Sequence, residues 1–231
     1  MPPIPAASKP MDYFAQTAVL LTNLFPKLIA GFLITLGVAA AAIPLALALG
    51  LLLVAPRMAR GRLLTIPAHA YIELMRNTPL LLQIYLIYFG LPVLGFFPSE
   101  FTCGVVGIAL QHAAFLAEIF RGAIESISER QWQAGRAIGM GRLTVFRYVI
   151  LPLAMLRILG PLGNQHLVLV KDTSLVSAIG VSELTMTGKL AIERTGASIE
   201  IFVAIGIFYL LLTSVLGTGL RILEHRSAGR F

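Results

Sequence analysis

Glu118 and Asp172 are ionisable residues whose surroundings demand a chemical explanation. Glu118 follows an uncharged run over 101–117, and Asp172 lies just past the weakly charged stretch 148–170. A charged side chain deep in a bilayer costs at least about 2.5–3.5 kcal/mol on insertion scales, so each carboxylate needs a cation, a donor or a ligand. The residues leave two uses open. Each carboxylate can line a passage for a polar solute. Alternatively each is neutralised locally, Glu118 by Arg121 at i, i+3 and Asp172 by a nearby lysine or a helix end. Asn164, Gln165 and His166 share the stretch with Asp172 and can serve either a passing solute or a neighbouring helix.

Other chemistries are poorly supplied. His69, His112, His166 and His225 show no metal-ligand spacing, so no metal site is expected. Cys103 is the single cysteine, which excludes an internal disulfide and a cysteine-rich metal or iron–sulfur site. No nucleophile, base and oxyanion-donor set can be assembled from spacing, which argues against an enzyme. Gly135, Gly139 and Gly141 are not followed by the Lys-Ser/Thr pair of a phosphate loop, so the chain is expected to hydrolyse no ATP alone and to bind no cofactor.

The elements that carry these residues are apolar. Of 231 residues 57% are apolar and only 13% charged, against about 25% charged in a soluble domain; the mean hydropathy is +0.85. No charge interrupts 28–56, 77–99 or 201–220, each long enough for the roughly 20 residues a bilayer crossing takes. With 101–117 and 148–170 these runs predict an all-α integral membrane protein of about five transmembrane helices. The first run starts too late for a cleaved signal peptide and is too long for its apolar core. The segment 11–29 is apolar but contains Asp12, Asn23, Pro26 and Lys27, so it predicts an interfacial helix. Pro2, Pro3, Pro5 and Pro10 predict a mobile tail before it. Residues 64–76, with Glu73 and Arg76 at i, i+3, are expected along the inner surface, and Thr78-Pro79 is expected to turn that helix into the second span.

Basic residues orient the spans, because short cytoplasmic loops are enriched in Lys and Arg. With the loop 57–62 inside, Arg57, Arg60, Arg62, Arg76, Arg121, Arg130, Arg136, Arg142, Arg147, Arg221, Arg226 and Arg230 face the cytoplasm, 12 of the 18 basic residues. The N-terminus is then outside and the C-terminus cytoplasmic. The net charge of +7 is accounted for by these loops, and no nucleic-acid partner is expected. The fourth span holds Pro152, Arg157, Gly160, Pro161 and Gly163 beside its polar residues and must face protein or a watery cavity.

The longest polar stretch, Arg121 to Arg147, alternates Ile124, Ile127, Trp132 and Ile138 with charges, which predicts short amphipathic helices at the membrane face. It contains Gln133-Ala134-Gly135, then Gly139, then Val149-Ile150-Leu151-Pro152. This resembles the cytoplasmic signature of permease subunits of ATP-binding-cassette importers: Glu-Ala-Ala, three residues, Gly, nine residues, Ile-x-Leu-Pro. The spacing is kept in full, with Gln133, Gly135 and Val149 as the departures; the missing Glu removes one expected salt bridge to an ATPase. Two further blocks, RNTPLLLQIYLIYFGLP at 76–92 and LGNQHLVLVKDTSLVSAIGVSEL at 162–184, look like the polar amino-acid uptake group of those importers, and AEIFRGAIESI at 117–127 joins them to the signature loop.

The resemblance covers roughly 31–226 and implies a type I permease domain there, with an N-terminal segment over 1–30 and a tail over 227–231. It implies a coupling loop at about 125–147, with Gln133, Ala134, Gly135, Arg136, Ala137, Gly139, Met140 and Gly141 docking on a cytosolic ATPase dimer that uses ATP and Mg. It also implies a second permease, identical or paralogous, a periplasmic or other extracytoplasmic amino-acid-binding protein, an amino-acid substrate and a lipid environment in a bacterial inner membrane. Glu118 and Asp172 match residues near the substrate cavity in related importers, and Asn164 and Gln165 join them as candidates for the path. An ion-coupled secondary transporter or channel subunit is the competing class, disfavoured by five spans, the docking signature and the lack of an inverted repeat.

Overall fold

The computed structural model describes residues 10–59 and 61–228. The tail prolines Pro2, Pro3 and Pro5, Arg60, and the end of the C-terminal tail at 229–231 lie outside the described residues. Nine α-helices run in the order α1 (Pro10–Arg57), α2 (Arg62–Asn77), α3 (Leu80–Val93), α4 (Glu100–Glu125), α5 (Glu129–Ala137), α6 (Arg142–Val145), α7 (Leu151–Asp172), α8 (Leu184–Thr195) and α9 (Ser198–Ala228), with no strand among the described residues. A π-helical turn, Phe146–Ile150, joins α6 to α7, and a 3-10 segment, Thr173–Ile179, follows α7.

Four stretches are long and apolar enough to cross a bilayer: Thr17–Arg57, Glu100–Glu125, Arg142–Ile179 and Ser198–Ile222. The second expected span differs from the uncharged run, because only Leu80–Val93 is helical within 77–99. Its 14 residues rise about 21 Å, short of a hydrocarbon core of roughly 30 Å. The first helix also departs from expectation. Residues 11–29 form no separate interfacial helix but continue into the first span, giving 48 helical residues about 72 Å long. Packing explains the continuity: Leu24 and Leu28 are buried with Leu184, Ala191, Ile201 and Ile205 from α8 and α9, which holds the segment in line across Pro26.

α4 is the hub, contacted by α1, α2, α3 and α7. Small residues set the approach. A Cβ at Gly50 would stand 2.8 Å from the Leu116 Cβ, so α1 and α4 touch almost backbone to backbone, as membrane helices do where small residues meet. The α2–α3 break falls at the expected Thr78-Pro79, where proline forces the preceding residue to extended geometry. The freed carbonyls are met inside the protein: Gln83 Nε2 donates to Met75 O at 2.9 Å, and Gln111 Nε2 donates to Thr78 O at 2.9 Å.

Candidate functional site

The polar loop folds as expected into short helices, and its turn is a helix C-cap. Gly139 has φ +83°, Gly139 N donates to Arg136 O at 3.0 Å and Met140 N donates to Gly135 O at 3.1 Å. That pair of bonds is a Schellman motif, which favours glycine at the left-handed position. No atom lies within 4 Å of a Cβ placed at Gly139, so backbone conformation alone selects glycine there. Gly135 is different. It is the buried residue of α5, and its face receives Val145.

α5 therefore has two sides. Trp132 and Gly135 turn inward, where Trp132 stacks on Phe146 at 6.3 Å between centroids and Ile127, Val145, Ile150 and Ala154 close a small core. Gln133, Ala134, Arg136 and Ala137 are exposed, and Ile138 next to them is 78% exposed. The outward side thus offers a small apolar tip among polar groups while the inward side is packed against α6 and the π-helical turn that leads into α7. Arg157 adds a second tie, its Nη1 donating to Ser126 O at 2.6 Å.

The structure separates the two carboxylates. Glu118 is held by Arg57 Nε at 2.9 Å on Oε1 and by Arg121 Nη2 at 2.7 Å on Oε2, and Arg121 also pairs with Glu125. Both oxygens of Glu118 are engaged, tying the end of α1 to the end of α4. The i, i+3 partner was legible in the sequence; Arg57, 61 positions away, was not.

Asp172 meets no lysine but His112, whose Nε2 lies 3.1 Å from Oδ2. His112 is 1% exposed, and its Nδ1 lies 2.7 Å from Gln165 Nε2. With the Gln165 amide as placed, Nδ1 accepts from Gln165 and Nε2 donates to Asp172. Gln165 and Asp172 are seven residues apart on α7, two helical turns, which puts them on one face toward α4. Among the described residues Oδ1 of Asp172 makes no hydrogen bond, and the side chain keeps 29% of its exposure. The cluster thus joins an accessible carboxylate oxygen to a buried, oriented imidazole. Asn164 lies on an exposed face of α7 away from it, and His166 leaves a buried Nε2 without a partner. Separate sequence positions hid His112; its place opposite Asp172 follows only from α4 packing on α7.

A third polar group escaped sequence reasoning altogether. Glu183, fully buried between the 3-10 segment and α8, accepts from the backbone N–H groups of Thr185 at 2.9 Å and Met186 at 2.8 Å and from the Tyr209 hydroxyl at 3.0 Å. Thr35 of α1 receives Leu184 N at 3.2 Å beside it. Burial pushes the Glu183 carboxyl above its ordinary value, against the lowering effect of its donors. Glu183 thus caps α8 and joins α8, α9 and α1. Its signal in the sequence is weak, since glutamate is an uncommon helix cap.

Residues 42–229 match the family described as "Binding-protein-dependent transport system inner membrane component". The glutamine transport system permease protein GlnP of Escherichia coli K12 is 42% identical over 203 residues, covering 87% of this chain and 93% of that protein. The nopaline transport system permease protein NocM of Agrobacterium fabrum is 34% identical over 206 residues, covering 85% and 86%. A solved structure of an amino acid ABC transporter with histidines superposes with TM-score 0.86 at 33% identity, covering 89% of this chain and 96% of that one. A methionine ABC transporter in an inward-facing conformation shares the fold, with TM-score 0.65 at 18% identity. With a packed loop that presents an exposed tip and a buried polar cluster between its apolar helices, the chain belongs to the inner membrane components of binding-protein-dependent transport systems, among their amino-acid permeases.

Proposed function

We propose that this permease carries a polar amino acid inward, driven by a separate cytosolic ATPase that docks on the tip formed by Gln133, Ala134, Ala137 and Ile138. One observation supports this above the rest: α5 is exposed on one side and packed on the other against α6 and the π-helical turn that opens α7, the arrangement a lever needs. ATP and Mg are used by that partner, and this chain itself binds no cofactor or metal. An extracytoplasmic binding protein delivers the substrate, a second copy or a paralogue completes the path, and the N-terminus lies outside with the C-terminus in the cytoplasm of a bacterial cell.

Within the path, the Oδ1 atom of Asp172 takes the α-ammonium group of the substrate while His112 and Gln165 keep the carboxylate in place. Glu118 serves as a clamp at the cytoplasmic end of α1 and α4. Glutamine is the first substrate to test, given the 42% identical relative. The experiment is ligand-stimulated ATP hydrolysis and uptake by the reconstituted complex, with the binding protein present and the amino acids screened in turn. Uptake that needs ATP and stops with vanadate supports the reading. Uptake that survives vanadate and collapses with the proton gradient overturns it.

A further inference from the structure

A cleft between the end of α1 and the α5–α6 loop is amphipathic along its length. Its larger part, about 660 Å³, is lined by Val54, Ala55, Leu143 and Phe146. Its smaller part, about 420 Å³, adds Glu125, Glu129 and Arg136. Met58, Ile124, Trp132 and Arg142 line both, so the two are one continuous depression.

The charges in the polar part are already balanced, with one exception. Glu125 pairs with Arg121, and Glu129 pairs with Arg136 at 3.0 Å. Arg142 has no salt bridge among the described residues; its guanidinium stands over the Trp132 ring, 6.0 Å from the centroid. The surplus is one cation at the junction of an apolar trough and a wet vestibule. The place matters as much as the charge. Val54 and Ala55 lie in the last turn of the uncharged run 28–56, which Arg57 follows, while Arg142 begins the segment that re-enters the apolar stretch. Two chain segments therefore cross the hydrocarbon–headgroup boundary at this cleft, where tryptophan and arginine are the usual anchors. The tip residues Gln133, Ala134, Ala137 and Ile138 do not line the cleft, although Arg136 beside them does.

We propose that the cleft holds an anionic glycerophospholipid of the cytoplasmic leaflet, its phosphate on Arg142 and an acyl chain along Val54, Ala55 and Phe146. The proposal rests on the functional reading for which end of the molecule faces the cytoplasm. An anionic headgroup near a basic side chain gains about fivefold in affinity per cation at the surface. The bound lipid fills the space between α1 and the loop and stiffens the lever.

Trp132 is the single tryptophan of the chain and reports on the site. The assembled permease–ATPase complex is placed in phosphatidylcholine vesicles carrying phosphatidylglycerol brominated on its acyl chains, or brominated phosphatidylcholine at equal mole fraction. A complex with Trp132→Phe supplies the background. Brominated phosphatidylglycerol is expected to quench Trp132 at about one fifth the mole fraction needed by brominated phosphatidylcholine, and Arg142→Gln is expected to erase that preference while Arg130→Gln keeps it. Equal quenching by the two lipids, or a preference that survives Arg142→Gln, overturns the proposal. Trp132 quenched by neither lipid assigns the cleft to the ATPase and also overturns it. Quenching needs no transport, so the preference is read even if ATP-driven uptake fails, and the two readings fail separately.

Discussion

Val145 rests directly on Gly135: a Cβ at position 135 would lie 2.7 Å from Val145 Cγ2. The signature this loop resembles carries alanine there, and a methyl at 135 would not fit beside Val145 as it stands. The contact joins α5 to α6, which runs through the π-helical turn into α7.

Gly135→Ala is expected to strain this contact by about 1–3 kcal/mol, the range for an extra methyl in a packed site. ATP hydrolysis should then respond less to loaded binding protein, with the ATPase still bound. The compensating Val145→Ala in the same chain should restore the response. A double variant no better than Gly135→Ala alone would falsify the steric account.

Gly139 has open space around it but a positive φ, so any L side chain costs about 1–2 kcal/mol from backbone conformation. Gly139→Val should uncouple hydrolysis from substrate delivery, whereas Gly139→Asn, which tolerates the left-handed region, should retain most of it. Equal damage from both variants points instead to contact with the ATPase surface. The measurement is stimulated hydrolysis with ATPase occupancy checked by co-purification.

Glu118 and Asp172 should separate in their effects. Glu118→Gln breaks the ion pairs to Arg57 and Arg121 and is expected to lower the stability of the complex by about 1.5–3 kcal/mol, with the KM for uptake little changed. Asp172→Asn should leave thermal unfolding nearly unaltered and raise KM at least tenfold; His112→Ala should do the same more weakly. If Glu118→Gln moves KM as much as Asp172→Asn does, Glu118 belongs in the path after all.

Glu183 predicts a pH dependence of stability. Its folded carboxyl titrates above the ordinary value because burial disfavours the charged form, so the folded state binds the proton more tightly than the unfolded chain. Below the ordinary glutamate value of about 4.3 both states are protonated and no penalty exists. As pH rises from there through the raised value, wild type loses stability relative to Glu183→Gln, and the difference is constant above it. Thermal unfolding of both proteins from pH 4 to 8 measures this, and a difference that does not vary with pH removes the assignment.

Topology is testable with introduced cysteines. Cys103 is only 1% exposed and should react slowly with an impermeant maleimide from either side, so it serves poorly as a marker of sidedness. In a Cys103→Ser background, Phe97→Cys at an 80% exposed position should label from outside intact cells, and Ile138→Cys only after lysis. The reverse pattern inverts the orientation.

Much of this architecture was legible in order. The uncharged runs located α1, α4 and α9 and the weakly charged stretch 148–170 located α7, because crossing a bilayer is a matter of length and hydropathy, which are local properties. The Thr78-Pro79 break was legible for a similar reason: proline acts on its own backbone and on the residue before it. Arg121 was legible as a partner of Glu118 because helical spacing alone brings i and i+3 together.

What the sequence by itself determined, then, was the all-helical membrane character, the polar loop with its glycine turn and, through its spacing, the kinship with importer permeases. Tertiary packing decided everything that joins distant segments. It drew residues 11–29 into one helix with the first span by burying Leu24 and Leu28 on α8 and α9. It set His112 against Asp172 across 60 positions, Arg57 against Glu118 across 61, and Glu183 beneath Tyr209 across 26. No local periodicity encodes such pairs, because the angle and depth at which two helices meet depend on small residues such as Gly50 pressing on a partner known only once the chain has folded.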